Sequence, residues 1–214
     1  MKRLLDGIRD FHERVRPAYR ERFAHLALGQ APDCLFIACS DSRVVPNLFA
    51  STDPGDLFVL RNVGNIVPPG GATCTGDGSA GAAVEFAALT LGVRDVVVCG
   101  HSGCGAMRAV LSGERVERAP NLDRWLDYTT PSIARAAREE GLAPSLSPAD
   151  RLSQAHVLQQ IDHLRSYPVI AERLAEQSLA LHAWWFDVAH AEVLAFDAAS
   201  GAFTPLVDMI ARQS

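Results

Sequence analysis

The sequence predicts an α/β fold: a mostly parallel central β-sheet flanked by helices, with an N-terminal helical arm. Three observations carry this reading. Residues 34–39, 57–60 and 96–99 are short continuous apolar runs, the pattern of strands buried on both faces. Segments with apolar residues three or four apart separate them, and strand–helix alternation winds into a right-handed parallel sheet. Ahead of the first run, Leu4, Ile8, Phe11, Val15 and Tyr19 form a stripe along one helix face.

The arm extends to about Leu28, within residues 1–29, and Pro17 is expected to interrupt it. Its apolar stripe must cover this subunit or another. The run 34–39 (Cys-Leu-Phe-Ile-Ala-Cys) is the first strand, with chemistry placed where it ends. The run 57–60 is the second. Residues 64–78, with Pro68-Pro69-Gly70-Gly71, form a loop. Residues 79–91 are Ala-rich, with Val84, Ala87, Ala88 and Leu91 on one helix face. The run 96–99 is a third strand, and 104–111 a helix beyond it. From 121 to 179 the pattern is helical, broken at Pro131, Pro144, Pro148 and Pro168. Ser147-Pro148 and Tyr167-Pro168 read as helix starts, with Pro in the first turn. Residues 180–188 and 192–196 are strands joined through Ala189-His190-Ala191. With no repeat, low-complexity segment or linker, the 214 residues are expected to form one domain spanning 1–214.

Composition narrows the function classes. Hydrophobic residues make up 48% and charged ones 21%, ordinary for a globular protein with a real core. The formal net charge is -5 and no basic block occurs, so nucleic acid is not an expected partner. Lys2, Arg3, Asp6, Arg9, Asp10 and Glu13 interrupt any signal-peptide core. No stretch approaches the ~20 apolar residues of a membrane span, so no membrane partner and a cytoplasmic location are expected. Five cysteines, an odd count, point to metal binding or catalysis in a reducing compartment rather than a disulfide framework. Cys34 and Cys99 lie in apolar runs and read as small core residues. Cys74, in the Gly-rich loop, receives no role.

Chemistry concentrates in two segments. Cys39-Ser40-Asp41-Ser42-Arg43-Val44 follows the first strand, and Gly100-His101-Ser102-Gly103-Cys104-Gly105 follows the third. Active sites in such folds collect at the carboxyl ends of strands. Two thiolates and an imidazole, Cys39, Cys104 and His101, are three of the four ligands of a tetrahedral zinc. A structural site usually closes with a further Cys or His in a second short pair, which this chain lacks. A three-ligand site leaves a position for water, as catalytic zinc requires. Taken singly, a strand-end Cys is more often packing, and a His-x-x-Cys pair occurs by chance.

The first motif, followed in order by Arg61-Asn62-Val63-Gly64-Asn65, Gly81-Ala82-Ala83-Val84-Glu85-Phe86 and the second motif, resembles the β-class carbonic anhydrases. The resemblance runs from about residue 30 to 111 and continues weakly to 184–188. It implies one zinc per chain on Cys39, His101 and Cys104, with Asp41 and Arg43 as the adjacent catalytic dyad. It also implies CO₂ and bicarbonate as the substrate pair and a homodimer or dimer-based tetramer. In the plant-like, open-site subtype a Gln, a Phe and a Tyr line the pocket. Gln30 and Phe58 match the first two, and Phe86 stands where the Tyr is common. For Phe58 and Phe86 core packing is the competing role. A second subtype lets the Asp bind zinc and holds bicarbonate with a Trp, an Arg and a Tyr. Those positions are Phe36, Arg61 and Phe186 here, so that pocket is not expected.

The chemistry agrees with this assignment. Hydrating CO₂ at neutral pH needs hydroxide, and catalytic zinc lowers the pKa of its water to ~7. Two thiolates cancel the charge of the ion, so its water is less acidic than on three histidines. Asp41 can accept the proton of that oxygen as a hydrogen bond, held ionised by a bidentate Arg43. The start of a helix favours the Cys104 thiolate. Gly103 and Gly105 let backbone approach the metal or a substrate oxygen. Two other readings stand beside this one: hydrolysis of CS₂ or COS on the same scaffold, and a zinc-stabilised scaffold or sensor, against which Asp41 and Arg43 argue. His12, His25, His156, His163, His182 and His190 have no motif support and are assigned to surface or core.

Overall fold

A computed structural model describes residues 1–71, 78–113, 118–138, 142 and 145–213. Cys74, Pro144 and part of the 64–78 loop lie outside the described residues.

Six strands form one sheet: β1 (Cys34–Cys39), β2 (Leu57–Asn62), β3 (Asp95–His101), β4 (Ala180–Asp187), β5 (Glu192–Asp197) and β6 (Ala202–Pro205), in the order β2-β1-β3-β4-β5-β6. The first four are parallel, and β5 and β6 are antiparallel. The sheet is therefore mixed, with its parallel part carrying the motifs. β6 was not foreseen. Its Ala-Phe-Thr-Pro sequence is half-buried throughout and offers neither an apolar run nor clean alternation.

The helices are α1 (Lys2–Asp10), α2 (Arg16–Leu26), α3 (Pro46–Phe49), α4 (Ser79–Glu85), α5 (Gly105–Ser112), α6 (Pro120–Leu126), α7 (Thr130–Ala137), α8 (Pro148–Arg165), α9 (Pro168–Ala175) and α10 (Leu206–Gln213). Pro17 does not break the arm. It sits in the first turn of α2, and Phe11–Val15 bridges α1 and α2 as a widened π-type turn. The missing N–H falls where the helix can spare it, and the wider turn absorbs the ring. The segment Phe86–Leu91 continues α4 in the same way. Ser147 caps α8 by accepting from the Asp150 N–H, and Pro148 follows it.

One face of the parallel strands, with Leu35, Ile37, Val96 and Val98, packs on Val84, Ala87, Val157, Ile161 and Leu164. The other buries Phe36, Ala38, Val97 and Cys99 with Phe186. The arm touches the body through few contacts: Tyr19 donates to Asp53 at 2.9 Å, and Arg22 donates to the Pro54 carbonyl at 2.9 Å and to Asp56. Leu4, Leu5 and Ile8 stay 69, 59 and 67% exposed. Among the described residues no helix is long and apolar enough to cross a membrane.

Candidate metal centre

Register brings the motifs together. Ala38 of β1 lies beside Cys99 of β3, so Cys39 and His101, each the last residue of its strand, emerge at one sheet edge. Gly103 turns the chain with φ +64°, a conformation open to glycine. The turn returns Cys104 to His101 as the residue capping α5. The Cys39 Sγ, Cys104 Sγ and a His101 ring nitrogen all lie within 4.8 Å of one another, and all three residues are buried.

The donor set fits a metal. His101 Nδ1 lies 3.0 Å from the Ser102 carbonyl, an acceptor, so Nδ1 carries the proton and Nε2 presents its lone pair. Nε2 is buried with no hydrogen-bond partner among the described residues. A buried polar atom left this way is costly unless something else satisfies it. The two thiols compete for one proton. The Cys39 thiol is drawn well below its ordinary range, chiefly through a hydrogen bond from Cys104, helped by the Asp41 and Gly64 N–H groups. Cys104 moves up for the same reason, although the Ala106 and Met107 N–H groups at the start of α5 favour its thiolate. Both ionise together only when a cation neutralises them.

Asp41 and Arg43 form a fork beside this cluster. Arg43 Nε donates to Oδ1 at 2.9 Å, Nη2 to Oδ2 at 2.7 Å, and the Arg43 backbone N–H to Oδ1 at 3.0 Å. The guanidinium holds Asp41 far below the usual carboxylate range. Arg43 also donates to the Gly103 carbonyl at 3.2 Å, tying the two motifs together. Asp41 Oδ2 lies 3.9 Å from His101 Nε2.

Several supports were not foreseen. Arg61 donates to the carbonyls of Cys39 at 3.0 Å and Asp41 at 2.7 Å, stapling the strand end. The Gly64 N–H points at Cys39 Sγ, 3.4 Å away. Asp150 accepts from the Gly103 N–H at 2.7 Å, and Ser153 donates to the His101 carbonyl at 3.0 Å. The Ser147-x-x-Asp150 spacing marks Asp150 at a helix start but not its reach to Gly103.

The remaining predicted residues are placed differently. Gly105 begins α5 next to Cys104, with open space where a Cβ would be. Gln30 is exposed just before β1. Phe58 pairs in register with Leu35, four residues or ~13 Å along β1 from Cys39. Its ring lies 5.7 Å from that of Phe86, which is 42% exposed. Phe36 and Phe186 share an apolar cluster, with Phe186 stacked on Phe49 at 4.7 Å.

The carbonic anhydrase family profile matches residues 34–193. The carbonic anhydrase of Pseudomonas aeruginosa is 41% identical over 97% of this chain and 93% of its own. The chain belongs to the β-carbonic anhydrase family. The solved β-carbonic anhydrase CcaA is similar with a TM-score of 0.87, at 38% identity, over 96% of this chain and 91% of that one. A structure described as a tetrameric β-carbonic anhydrase from Sordaria macrospora gives a TM-score of 0.79 at 31% identity, over 92% of this chain and 96% of that one. This β-carbonic anhydrase is accordingly a zinc enzyme that interconverts CO₂ and bicarbonate, and its Cys39, His101 and Cys104 form a group able to hold the ion.

Proposed function

We propose that Cys39, His101 and Cys104 are the protein ligands of one zinc per chain, and that Asp41 with Arg43 is the catalytic dyad of an open site. The observation that carries this is the two-pronged Arg43–Asp41 pair beside a Cys₂His cluster whose Nε2 has no hydrogen-bond partner among the described residues. Zinc bound there supplies a nucleophilic oxygen at neutral pH and acts as a Lewis acid. Asp41, kept ionised by Arg43, accepts a hydrogen bond from the attacking group and orients it at carbon. Arg43, anchored to the Gly103 carbonyl, holds Asp41 back from the metal. The apolar packing of Phe36 and Phe186, and the engagement of Arg61 with two backbone carbonyls, support an open site over the closing subtype.

Gly105 gives a substrate oxygen close backbone approach. Gln30 donates to bicarbonate, and Phe58 with Phe86 forms an apolar wall suited to CO₂. These three lie away from their own Cys₂His cluster, so they serve a site only when a second copy brings them to it. The exposed Val59, Phe86 and Leu89, with the stripe of the arm, supply the surface for a homodimer or a dimer-based tetramer. A single domain of residues 1–214 in a reducing, cytoplasmic setting suits a protein whose cysteines must stay thiols.

The test is stopped-flow CO₂ hydration by zinc-loaded Asp41→Asn. We expect full zinc content and a loss of ~10²-fold or more in turnover. A fully active variant would remove the dyad.

A further inference from the structure

Helix α8 carries buried polar residues that the chemistry above does not use. His156 and Gln160 are 1 and 0% exposed, and His163 is 7% exposed. Polar groups so deep are costly unless paired. His156, Gln160 and His163 are spaced by four and three residues, so they share one helix face. All three grip the segment after β2. His156 Nε2 meets the Gly64 carbonyl at 2.9 Å, Gln160 Oε1 accepts from the Val67 N–H at 2.8 Å, and His163 Nδ1 meets the Val67 carbonyl at 2.7 Å.

Hydrogen-bond logic fixes the state of His156. The Gly64 carbonyl only accepts, so Nε2 carries the proton. Nδ1 therefore accepts, from the Ser132 hydroxyl at 2.9 Å and more weakly from the Gln160 amide at 3.3 Å. Ser132 is itself 0% exposed, on α7. At the other end, Gly64 has φ +82°, and a Cβ there would lie 3.1 Å from the Ala106 Cβ. It is thus confined between α8 and α5, with its carbonyl held by His156 and its N–H 3.4 Å from Cys39 Sγ.

We infer that His156 is a positioning residue for the metal centre: by holding the Gly64 carbonyl, it keeps the Gly64 N–H on the Cys39 sulfur and sets how much electron density that thiolate gives the metal. The inference rests on Cys39 being a ligand. An N–H on a metal thiolate lowers the energy of its lone pairs. Outer partners of metal ligands also fix ligand orientation, and their loss commonly costs ten- to hundredfold in metal affinity or activity. The arrangement spans 92 residues of sequence, from Gly64 to His156, and no local pattern announces it.

The test compares wild type, His156→Leu and His156→Gln. Two readouts are used: zinc affinity by chelator competition, and the sulfur-to-metal charge-transfer band of the cobalt(II)-substituted protein. His156→Leu removes the donor, whereas the Gln amide can keep it. We expect His156→Leu to bind zinc ten- to hundredfold more weakly and to shift the band to longer wavelength, with His156→Gln restoring most of both. Wild-type affinity and band position in His156→Leu would overturn the inference, and so would a folded His156→Gln that restores neither. If His156→Leu does not fold, Ser132→Ala carries the test, because it removes the hydroxyl that holds the Nε2–H tautomer. A smaller shift in the same direction supports the inference, and none overturns it. The wild-type band and its weakening in Cys39→Ser, which leaves only the Cys104 thiolate, report separately on whether Cys39 is a ligand at all.

Discussion

Asp41 and His156 show how one chain holds two ionisable side chains in opposite settings. Asp41 lies at the surface of the metal cluster, ionised by Arg43. His156 is kept neutral, pushed down to about 3 chiefly by burial, with the hydrogen bond to the Gly64 carbonyl opposing and His163 adding to the shift. The unfolded chain protonates this imidazole near its ordinary value of ~6.5, and the folded chain does so only near 3, so between these values the unfolded state binds the extra proton. His156 thus lowers stability as the pH falls from 6.5 towards 3, by about 1.4 kcal/mol per pH unit. Urea denaturation of His156→Gln between pH 7 and 4.5 is expected to show a shallower acid slope than wild type. Equal slopes would mean that His156 does not titrate differently on unfolding. At this scale the motif residues were legible, because Cys39, Asp41 and Arg43 are near neighbours, as are His101 and Cys104. Their supports Gly64, Asp150, Ser153 and His156 were not, because each contact joins residues far apart in sequence.

Elements place the site through a close fit between β3 and α8. Gly100 precedes His101, and a Cβ there would lie 2.6 Å from Val157 Cγ2 and 3.1 Å from both Ser153 Oγ and Trp185 Cδ1. Trp185 donates to Ser153 at 3.1 Å, and Ser153 donates to the His101 carbonyl, so these neighbours are themselves fixed. Gly100→Ala is expected to destabilise by about 1–3 kcal/mol, the usual cost of overpacking, and to weaken zinc binding by moving His101. Thermal unfolding of the metal-free and zinc-loaded variant checks both, and an unchanged midpoint would show that α8 yields freely. Strands β1 to β5 were readable from apolar runs, and Ser147-Pro148 and Tyr167-Pro168 marked the starts of α8 and α9. The break expected at Pro17 failed because helix geometry can widen by a residue where a proline enters its first turn. β6 was missed because its side chains are only partly covered and show no decisive period, and α10 because it is only eight residues long, although Leu206, Met209 and Ile210 are spaced as on one helix face.

The whole molecule leaves apolar surface that a single chain does not cover: the arm's Leu4, Leu5 and Ile8, and the tract of Val59, Phe86 and Leu89. Removing residues 1–15 is expected to lower the assembly from a dimer or dimer multiple towards a monomer in light scattering. A full-length monomer mass near 23.1 kDa would refute the assembly. The central claim is that CO₂ hydration depends on zinc held by Cys39, His101 and Cys104. It is tested most directly by stopped-flow hydration of chelator-stripped protein titrated with zinc, alongside Cys104→Ser. Wild-type activity should return in proportion to zinc and saturate at one ion per chain, and Cys104→Ser should neither retain the metal nor recover turnover. Full activity in the stripped protein, or a Cys104→Ser protein that binds zinc and turns over like wild type, would contradict the account.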